Sequence, residues 1–355
     1  MEAGDRMKMR IVIMRKTVSV LLTLVFIVGL LLGCVNTAAA EGKEIAEGAL
    51  SLLNMTEEEY LANSKGKAIA LKYLADQGAY VSGGDLSKRP EINRIIFYDT
   101  LTDMILALEA GVIHNAEIPQ CTAGYLCAHN DRLVVRGSYH LEDADGFTKA
   151  VAYRLGVGYS FLLAEGKAGL RDELDRAISE MKEDGTLDGL VRTYILEAVS
   201  GDPEPVKFTK TDGETINVAV TGELPPMDYV APDGTPAGFN TALLAELGKR
   251  LNKNFELVQV SSPGRSLALS SGNVDLAFWT NGQDGRYEAA GMSSEAYHEY
   301  VSEKYKTNSE EQNALMNAIS GGMEYEKILN RDIPDGTITT QPYFSDMLVA
   351  VTLKK

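Results

Sequence analysis

Residues 216–286, INVAVTGELPPMDYVAPDGTPAGFNTALLAELGKRLNKNFELVQVSSPGRSLALSSGNVDLAFWTNGQDGR, decide the fold. Ile216, Val218 and Val220 alternate with smaller or polar residues, the period of a short strand, and the strand stops at Gly222 and Pro225-Pro226. Asp233-Gly234 has the chemistry of a tight hairpin, because glycine takes positive φ without a Cβ clash. Residues 227–230 are therefore expected to pair with the segment entering Gly238. Leu243, Leu244, Leu247 and Leu251 then fall at helical spacing, with Glu246, Lys249 and Arg250 opposite. Residues 255–260 read as a second strand, 266–270 as a short helix ended by Gly272, and 274–279 as a third strand. This β-α-β-α-β order is the unit of a parallel sheet.

With 355 residues the chain can hold two such α/β lobes, and 24 % charged with 45 % hydrophobic residues is the make-up of an ordinary folded protein. A formal charge of −16 argues against nucleic acid as a partner, since displacing counterions from phosphate needs a basic surface. The cysteines, Cys34, Cys121 and Cys127, form neither a disulfide framework nor a metal-ligand spacing. If Cys121 and Cys127 share a helix, six residues of rise part them by about 9 Å, against a bridging distance of roughly 4.4–6.8 Å. Both read as buried thiols. Four scattered histidines lack HExxH spacing, and GxSxG, Walker A and GxGxxG are absent. No metal or cofactor is expected.

The chain opens with Arg6, Lys8, Arg10, Arg15 and Lys16 ahead of an apolar run over 18–32, the build of a signal peptide and short for a spanning helix. Leu31-Leu32-Gly33-Cys34 resembles a bacterial lipobox, whose cysteine is acylated, so 1–34 is read as a lipoprotein signal ending at Cys34. Cleavage after Ala38-Ala39-Ala40 and an uncleaved anchor are the alternatives. All three place the rest outside the cytoplasm, at the outer face of the cytoplasmic membrane or in the periplasm.

Beyond it, 41–83 has a helical pattern: Thr56 followed by Glu57-Glu58-Glu59 starts one helix, and Ile69, Leu71 and Leu74 sit on a second. Residues 92–98 read as a strand, 101–110 as a helix and 112–118 as a strand. An internal repeat emerges here. Residues 107–116, ALEAGVIHNA, align without gaps to 268–277, ALSSGNVDLA, each a helix end, a glycine stop and an outgoing strand. Two equivalent units imply two similar lobes, although such joints also recur by chance. Further on, 159–163 is a strand, 170–181 an amphipathic helix, and Asp184-Gly185-Thr186 breaks it before a last helix through Leu190 and Ile195. Residues 201–213, with Pro203 and Pro205, are the clearest linker.

Pro225-Pro226-Met227-Asp228-Tyr229, Asp233-Gly234, Gly238-Phe239 and Ala268-Leu269-Ser270-Ser271-Gly272-Asn273-Val274-Asp275, in that order, resemble the bacterial extracellular solute-binding proteins of family 3, amino-acid receptors of ABC importers. The resemblance implies an α/β fold of periplasmic binding protein-like type II, two lobes around a hinged cleft. Residues 158–195 resemble that family's closing segment, yet precede its opening segment. Gln341-Pro342-Tyr343-Phe344-Ser345-Asp346 and the strand after it resemble the lobe crossover at the chain's end. The order reads as a circular permutation. The expected domains are 35–64, a tether and N-terminal helix; 65–157, lobe two; 158–200, the return to lobe one; the linker; and 214–355, lobe one. An acidic helical insert at 293–334 reads as an excursion packed on lobe one, or as a lid or transporter contact.

The resemblance implies that Arg286 binds the ligand carboxylate, with Thr280 offering its hydroxyl and N–H. Asp228 lies in the motif, and Tyr229 and Trp279 are cleft walls or core. In lobe two the pattern departs: Glu117 supplies the negative charge for an ammonium group, or Asn115 and Gln120 replace it with neutral hydrogen bonds. Asn240 stands where an acidic residue is usual. The expected protein is a monomeric receptor for an amino acid or related carboxylate, serving an ABC permease from a lipid anchor. The alternatives are a dehydratase-type enzyme on this fold, with Glu117 beside His114 as its pair, and a stand-alone sensing or scavenging lipoprotein.

Overall fold

The computed structural model describes residues 44–50, 56–88, 91–201, 203–282, 309–321 and 333–354, and all but Glu44 lie in the unit Ile45–Lys355. The first elements are β1 (Ala46–Leu50), α1 (Glu57–Asp76), β2 (Tyr80–Val81), β3 (Arg94–Tyr98), α2 (Leu101–Glu109), β4 (Asn115–Pro119), α3 (Gln120–His129), β5 (Leu133–Arg136), β6 (Ser138–Tyr139) and α4 (Gly146–Tyr153). After β7 (Gly156–Ala164) come α5 (Ala168–Glu183) and α6 (Thr186–Val191), whose helical turns continue to Val199. The decisive stretch supplies β8 (Thr215–Val220), β9 (Glu223–Leu224), β10 (Asp228–Val230), β11 (Pro236–Ala237), α7 (Phe239–Leu251), β12 (Asn254–Gln259), α8 (Gly264–Ser270) and β13 (Leu276–Gly282). Helix α9 (Glu310–Ile319) and strands β14 (Thr337–Thr339) and β15 (Phe344–Leu353) follow.

Among the described residues the main sheet runs β12-β8-β13-β7-β15-β4-β1-β3, with β14 beside β7 and β5 beside β15. It is two copies of one arrangement. β8 lies parallel between β12 and β13, and β1 lies parallel between β3 and β4. Each third strand then meets an antiparallel crossover strand, β7 beside β13 and β15 beside β4. Phe344–Met347 of β15 pair with Tyr159–Gly156 of β7, and this seam joins the halves. The copy carrying β8 corresponds to lobe one and that carrying β1 to lobe two.

The repeat in the sequence is a repeat in hydrogen bonding. Gly111 and Gly272 both turn left-handed, at φ 73° and 72°. Val112 N–H donates to the Ala107 carbonyl at 2.9 Å and Asn273 N–H to that of Ala268 at 3.0 Å. One strand over, His114 N–H donates to the Ala46 carbonyl and Asp275 N–H to that of Asn217, both at 2.8 Å. Each joint thereby fixes its third strand to its first.

The first strand of lobe two contradicts the helical reading of 41–83. AEGAL lacks the branched residues strands favour. It is a strand because neighbours on both sides saturate its backbone, and because Gly48 lets Ile113 and Met104 close over it, where a Cβ would overlap Ile113. The expected pair of helices is one helix, α1, crossing the expected boundary at 64/65. Thr56 caps it reciprocally with Glu59, the Glu59 N–H donating to Thr56 Oγ1 at 3.2 Å and the Thr56 N–H to Glu59 Oε2 at 2.8 Å. The expected lobe boundary also fails for the insert. The apolar face of α9 packs on α1 and α4, elements of lobe two.

Lobe one buries its sheet on both faces. Phe161, Phe278, Ile178, Leu243 and Leu247 share one cluster, and Leu162, Ala219, Leu269 and Trp279 another. Helix α7 is started by the hairpin that the sequence foretold, in which Tyr229 pairs with Ala237. Its Phe239 and Asn240 N–H groups donate to the Pro226 and Met227 carbonyls at 2.9 and 2.8 Å, partners for donors that a helix start leaves over. Gly238, at φ 104°, makes this possible; a Cβ there would lie 2.5 Å from the Met227 oxygen and 2.7 Å from that of Pro226. Gly238→Ala is expected to lower stability by about 1–3 kcal/mol in urea unfolding. An unchanged midpoint would mean that the hairpin yields without strain.

Candidate functional site

In parallel α/β sheets ligands gather beyond the carboxyl ends of the strands. At that edge of lobe one, β8 gives way to Thr221-Gly222. Asp228 Oδ2 accepts from Thr221 N–H at 3.1 Å, Thr221 Oγ1–H at 3.0 Å and Gly222 N–H at 2.9 Å. Burial raises the Asp228 carboxyl above the ordinary value, and these donors oppose the rise. Asp228 thus fastens the loop with one oxygen. Tyr229, its neighbour, is half-buried.

Trp279 is 6 % exposed and packs with Leu162, Ala219 and Leu269, so of its two readings the structure places it in the core. Arg265 lies over its ring, Cζ 4.9 Å from the centroid, and donates to the Phe278 carbonyl at 2.7 Å and to Ser262 Oγ at 3.0 Å. Nothing in the sequence around Arg265 marks it out, since its partners, Trp279 and the Phe278 carbonyl, lie on a different element. Thr280 is half-buried on β13 opposite Tyr159. Asn240 accepts a hydrogen bond from the Tyr343 hydroxyl at 3.2 Å, a neutral, buried pair. Arg286 and Cys34 lie outside the described residues, as does most of the insert.

Lobe two faces this edge with α3. Its first residue, Gln120, is exposed. The Pro119 side chain at its start cannot cap it, and Asp346 of the crossover strand does so instead, Oδ2 accepting the Cys121 N–H at 2.7 Å. Burial raises the Asp346 carboxyl and, more strongly, the Cys121 thiol. Cys121 and Cys127 do share α3 and both are free and half-buried. One turn on, Tyr125 stacks on His129 with centroids 4.1 Å apart, and its ring lies 5.9 Å from that of Tyr229. This aromatic pair joins α3 of lobe two to β10 of lobe one. Leu224 likewise packs against a core cluster of each lobe.

Glu117 and Asn115 point elsewhere. They lie on one face of β4 beneath α1, where Glu117 is ion-paired with Lys67 and Asn115 donates to Glu47 Oε2. Glu47 is 3 % exposed, with Oε1 lacking a hydrogen-bond partner, and Ser64 Oγ is a second such atom one turn from Lys67. Desolvation, then the charge of Glu117, pushes Glu47 up to about 8, against the pull of Lys67. A proton on Glu47 turns two facing acceptors into donor and acceptor. Desolvation pulls Lys67 down, but Glu117 and Glu47 outweigh it and hold it above its ordinary value, with Tyr80 adding slightly. His114 turns away from this group, its Nδ1 accepting the Ala46 N–H at 3.2 Å, so the expected Glu117–His114 pair is not formed.

Among the described residues, no group of three or more His, Cys, Asp or Glu could hold a metal, and no helix is long and apolar enough to cross a membrane.

Residues 216–330 match the family model of the bacterial extracellular solute-binding proteins, family 3. No curated protein matches the chain. Among solved structures, the chain is similar to the binding protein AgaA of A. tumefaciens R10 in complex with agropinic acid, at 10 % identity and TM-score 0.35, over 80 % of this chain and 65 % of that one. NikA from Staphylococcus aureus, in complex with Ni(L-His)2, gives 13 % identity and TM-score 0.34 over 78 % and 62 %. The periplasmic aliphatic sulphonate binding protein SsuA from Escherichia coli gives 13 % and 0.29 over 84 % and 86 %. The chain thus spans a little under two thirds of the first two.

The buried cluster sets a pH dependence. Glu47 is raised from 4.5 to about 8 on folding. Its contribution is therefore fully present below about 4.5 and is lost as pH rises toward 8, because folding must take up a proton that the unfolded state has already released. Glu47→Gln should gain on wild type across that window and be the more stable above pH 8, by on the order of 1 kcal/mol or more. Parallel pH profiles in thermal unfolding would refute a protonated Glu47.

Proposed function

We propose that this protein is a solute-binding receptor whose lobes close on a small polar ligand and present it to an ABC permease. The observation that carries the reading is the match of 216–330 to the solute-binding family, falling on the lobe whose strand ends meet α3 of the other lobe. An amino acid or related carboxylate is the preferred ligand class. Thr280 offers its hydroxyl to an anion at one side, and Arg286 is retained as the carboxylate anchor on the strength of the family resemblance. Tyr229 and Tyr125 form the apolar wall, and Gln120 the exposed amide on the opposite side. Glu117 and Asn115, engaged beneath α1, drop out of the ligand set. Closure would draw on binding energy realised only when both sides touch the ligand. A lipid anchor at Cys34 and a site of action outside the cytoplasm belong to the same proposal.

The permuted order is part of it. In support, the copy of the β-α-β-α-β unit that the family model matches comes second, after the β1-to-β4 unit of lobe two. A dehydratase-type activity is the second reading; with Glu117 paired to Lys67 and His114 to the backbone, no observation favours it.

A thermal-shift screen of the full chain in detergent, against amino acids, polyamines, small dicarboxylates and arogenate, tests the proposal. A true ligand at a hundred times its dissociation constant adds about 2.7 kcal/mol. The expected result is a shift by an amino acid that Arg286→Ala abolishes and Tyr229→Ala weakens. Silence across the screen defeats the amino-acid reading, and consumption of arogenate replaces it with the enzyme.

A further inference from the structure

Arg265, half-buried on α8, reaches from the turn after β12 to the end of β13. Strand β13 pairs with β8 at Leu276 and Ala277, and Arg265 Nη1 donates to the Phe278 carbonyl one residue beyond, at 2.7 Å, where β8 turns away into the Thr221-Gly222 loop. Its Nε donates to the Ser262 carbonyl at 3.2 Å and its Nη2 to the Ser262 hydroxyl at 3.0 Å. The Trp279 ring supports the group from one side, its centroid 4.9 Å from Cζ. These contacts fix the guanidinium without neutralising it, because every acceptor is uncharged. Among the described residues Asp228 is the carboxylate whose charge reaches it, and Asp228 is engaged by the Thr221-Gly222 loop. Burial pulls Arg265 below its ordinary value, and Asp228, then Tyr343, offset only part of that. A guanidinium has five N–H groups. Three are engaged here, and one remains on each terminal nitrogen, the number a carboxylate accepts from an arginine. A desolvated cation without a counter-charge is costly, and this one stands at the strand-end edge where α/β sheets receive ligands.

We propose that Arg265 is an anion anchor of the solute site, holding a carboxylate of the bound solute through the two terminal N–H groups that the fold leaves over. The assignment rests on the receptor reading above and deepens it: the solute is an acid, and one of its carboxyl groups lies where β8 and β13 part. Thr280, two residues beyond Phe278 on β13, stands at the same edge with its hydroxyl as a further donor. A fixed guanidinium separates an acid from its amide. The carboxylate neutralises the cation and accepts with both oxygens, whereas a carboxamide has one acceptor and sets a donor against a donor. The role is separate from that of Arg286 and stands on described residues alone.

Trp279 is the one tryptophan of the sequence, so its emission reports on the group that Arg265 covers. The full chain in detergent is titrated with the common amino acids and glutarate, and with the same compounds amidated at each carboxyl group in turn, following Trp279 emission and thermal shift together. For one carboxyl of the solute that binds, amidation should weaken wild type by roughly tenfold or more and Arg265→Gln by less than about threefold, the mark of a charge-assisted bond made by that side chain. Arg265→Lys, which keeps the charge and loses the fork, should fall between the two. If Arg265 only latches the Ser262 turn to β13, acid and amide weaken together in Arg265→Gln, and equal amidation penalties at every carboxyl overturn the anchor. Should Arg265→Gln not fold, Arg265→Lys decides: a smaller preference for acid over amide supports the anchor and an unchanged preference overturns it. A thermal shift that Arg265→Gln leaves intact fails the anchor and keeps the receptor. Silence in both readouts across the acids fails the receptor reading and the anchor with it.

Discussion

The structure hangs on a short antiparallel seam. Four residues of β15 run beside four of β7, and the seam is extended at both ends by single bonds, Tyr343 N–H to the Tyr159 carbonyl at 2.8 Å and Leu348 N–H to that of Leu155 at 3.0 Å. Two side chains near it tie it to both lobes. Asp346, inside the seam, caps α3 of lobe two; Tyr343, at its end, reaches Asn240 of lobe one and packs on Phe161. A two-stranded connection resists stretching and shear, because that breaks hydrogen bonds, but bends across its width with little loss. Rotation of one lobe against the other, which the proposed receptor reading requires, would draw on that compliance.

Much of this was legible because it rests on local chemistry. Glycine stops, the Asp233-Gly234 hairpin, the Thr56–Glu59 cap and the leucine face of α7 are each decided within a few residues, and each is where the sequence puts it. The internal repeat was legible for the same reason. A glycine that must turn left-handed after a helix leaves a mark that side-chain drift does not erase, and the matching bonds at Gly111 and Gly272 are its structural form.

What escaped depends on partners distant in the chain. Ala46–Leu50 has no strand character of its own and becomes one because two neighbours and the absent side chain of Gly48 leave it no alternative. Glu117 looked like a cleft residue because the family resemblance calls for a negative charge near it, but Lys67 on α1 claims it. Asp346 reads as part of a crossover motif, and nothing near it reveals that it completes a helix from the other end of the chain. Tyr125 sits in an unremarkable helix until Tyr229 is brought beside it.

The pairing of β15 with β4 has a consequence for how the molecule is made. Lobe two is begun at β1, yet its sheet is finished by β15, more than two hundred residues later, with Val351 set beside Ala116 and Ala350 beside Glu117. On a ribosome, which delivers the chain from its N-terminus, the first lobe begun is the last completed. Until β15 arrives, β4 presents an unpaired edge, the kind of surface on which chains aggregate. The same late closure makes this contact among the most remote in sequence, and remote contacts slow folding. Nascent lobe two is accordingly the part of the molecule that most needs shelter, and its edge stays open until residues 344–353 have emerged.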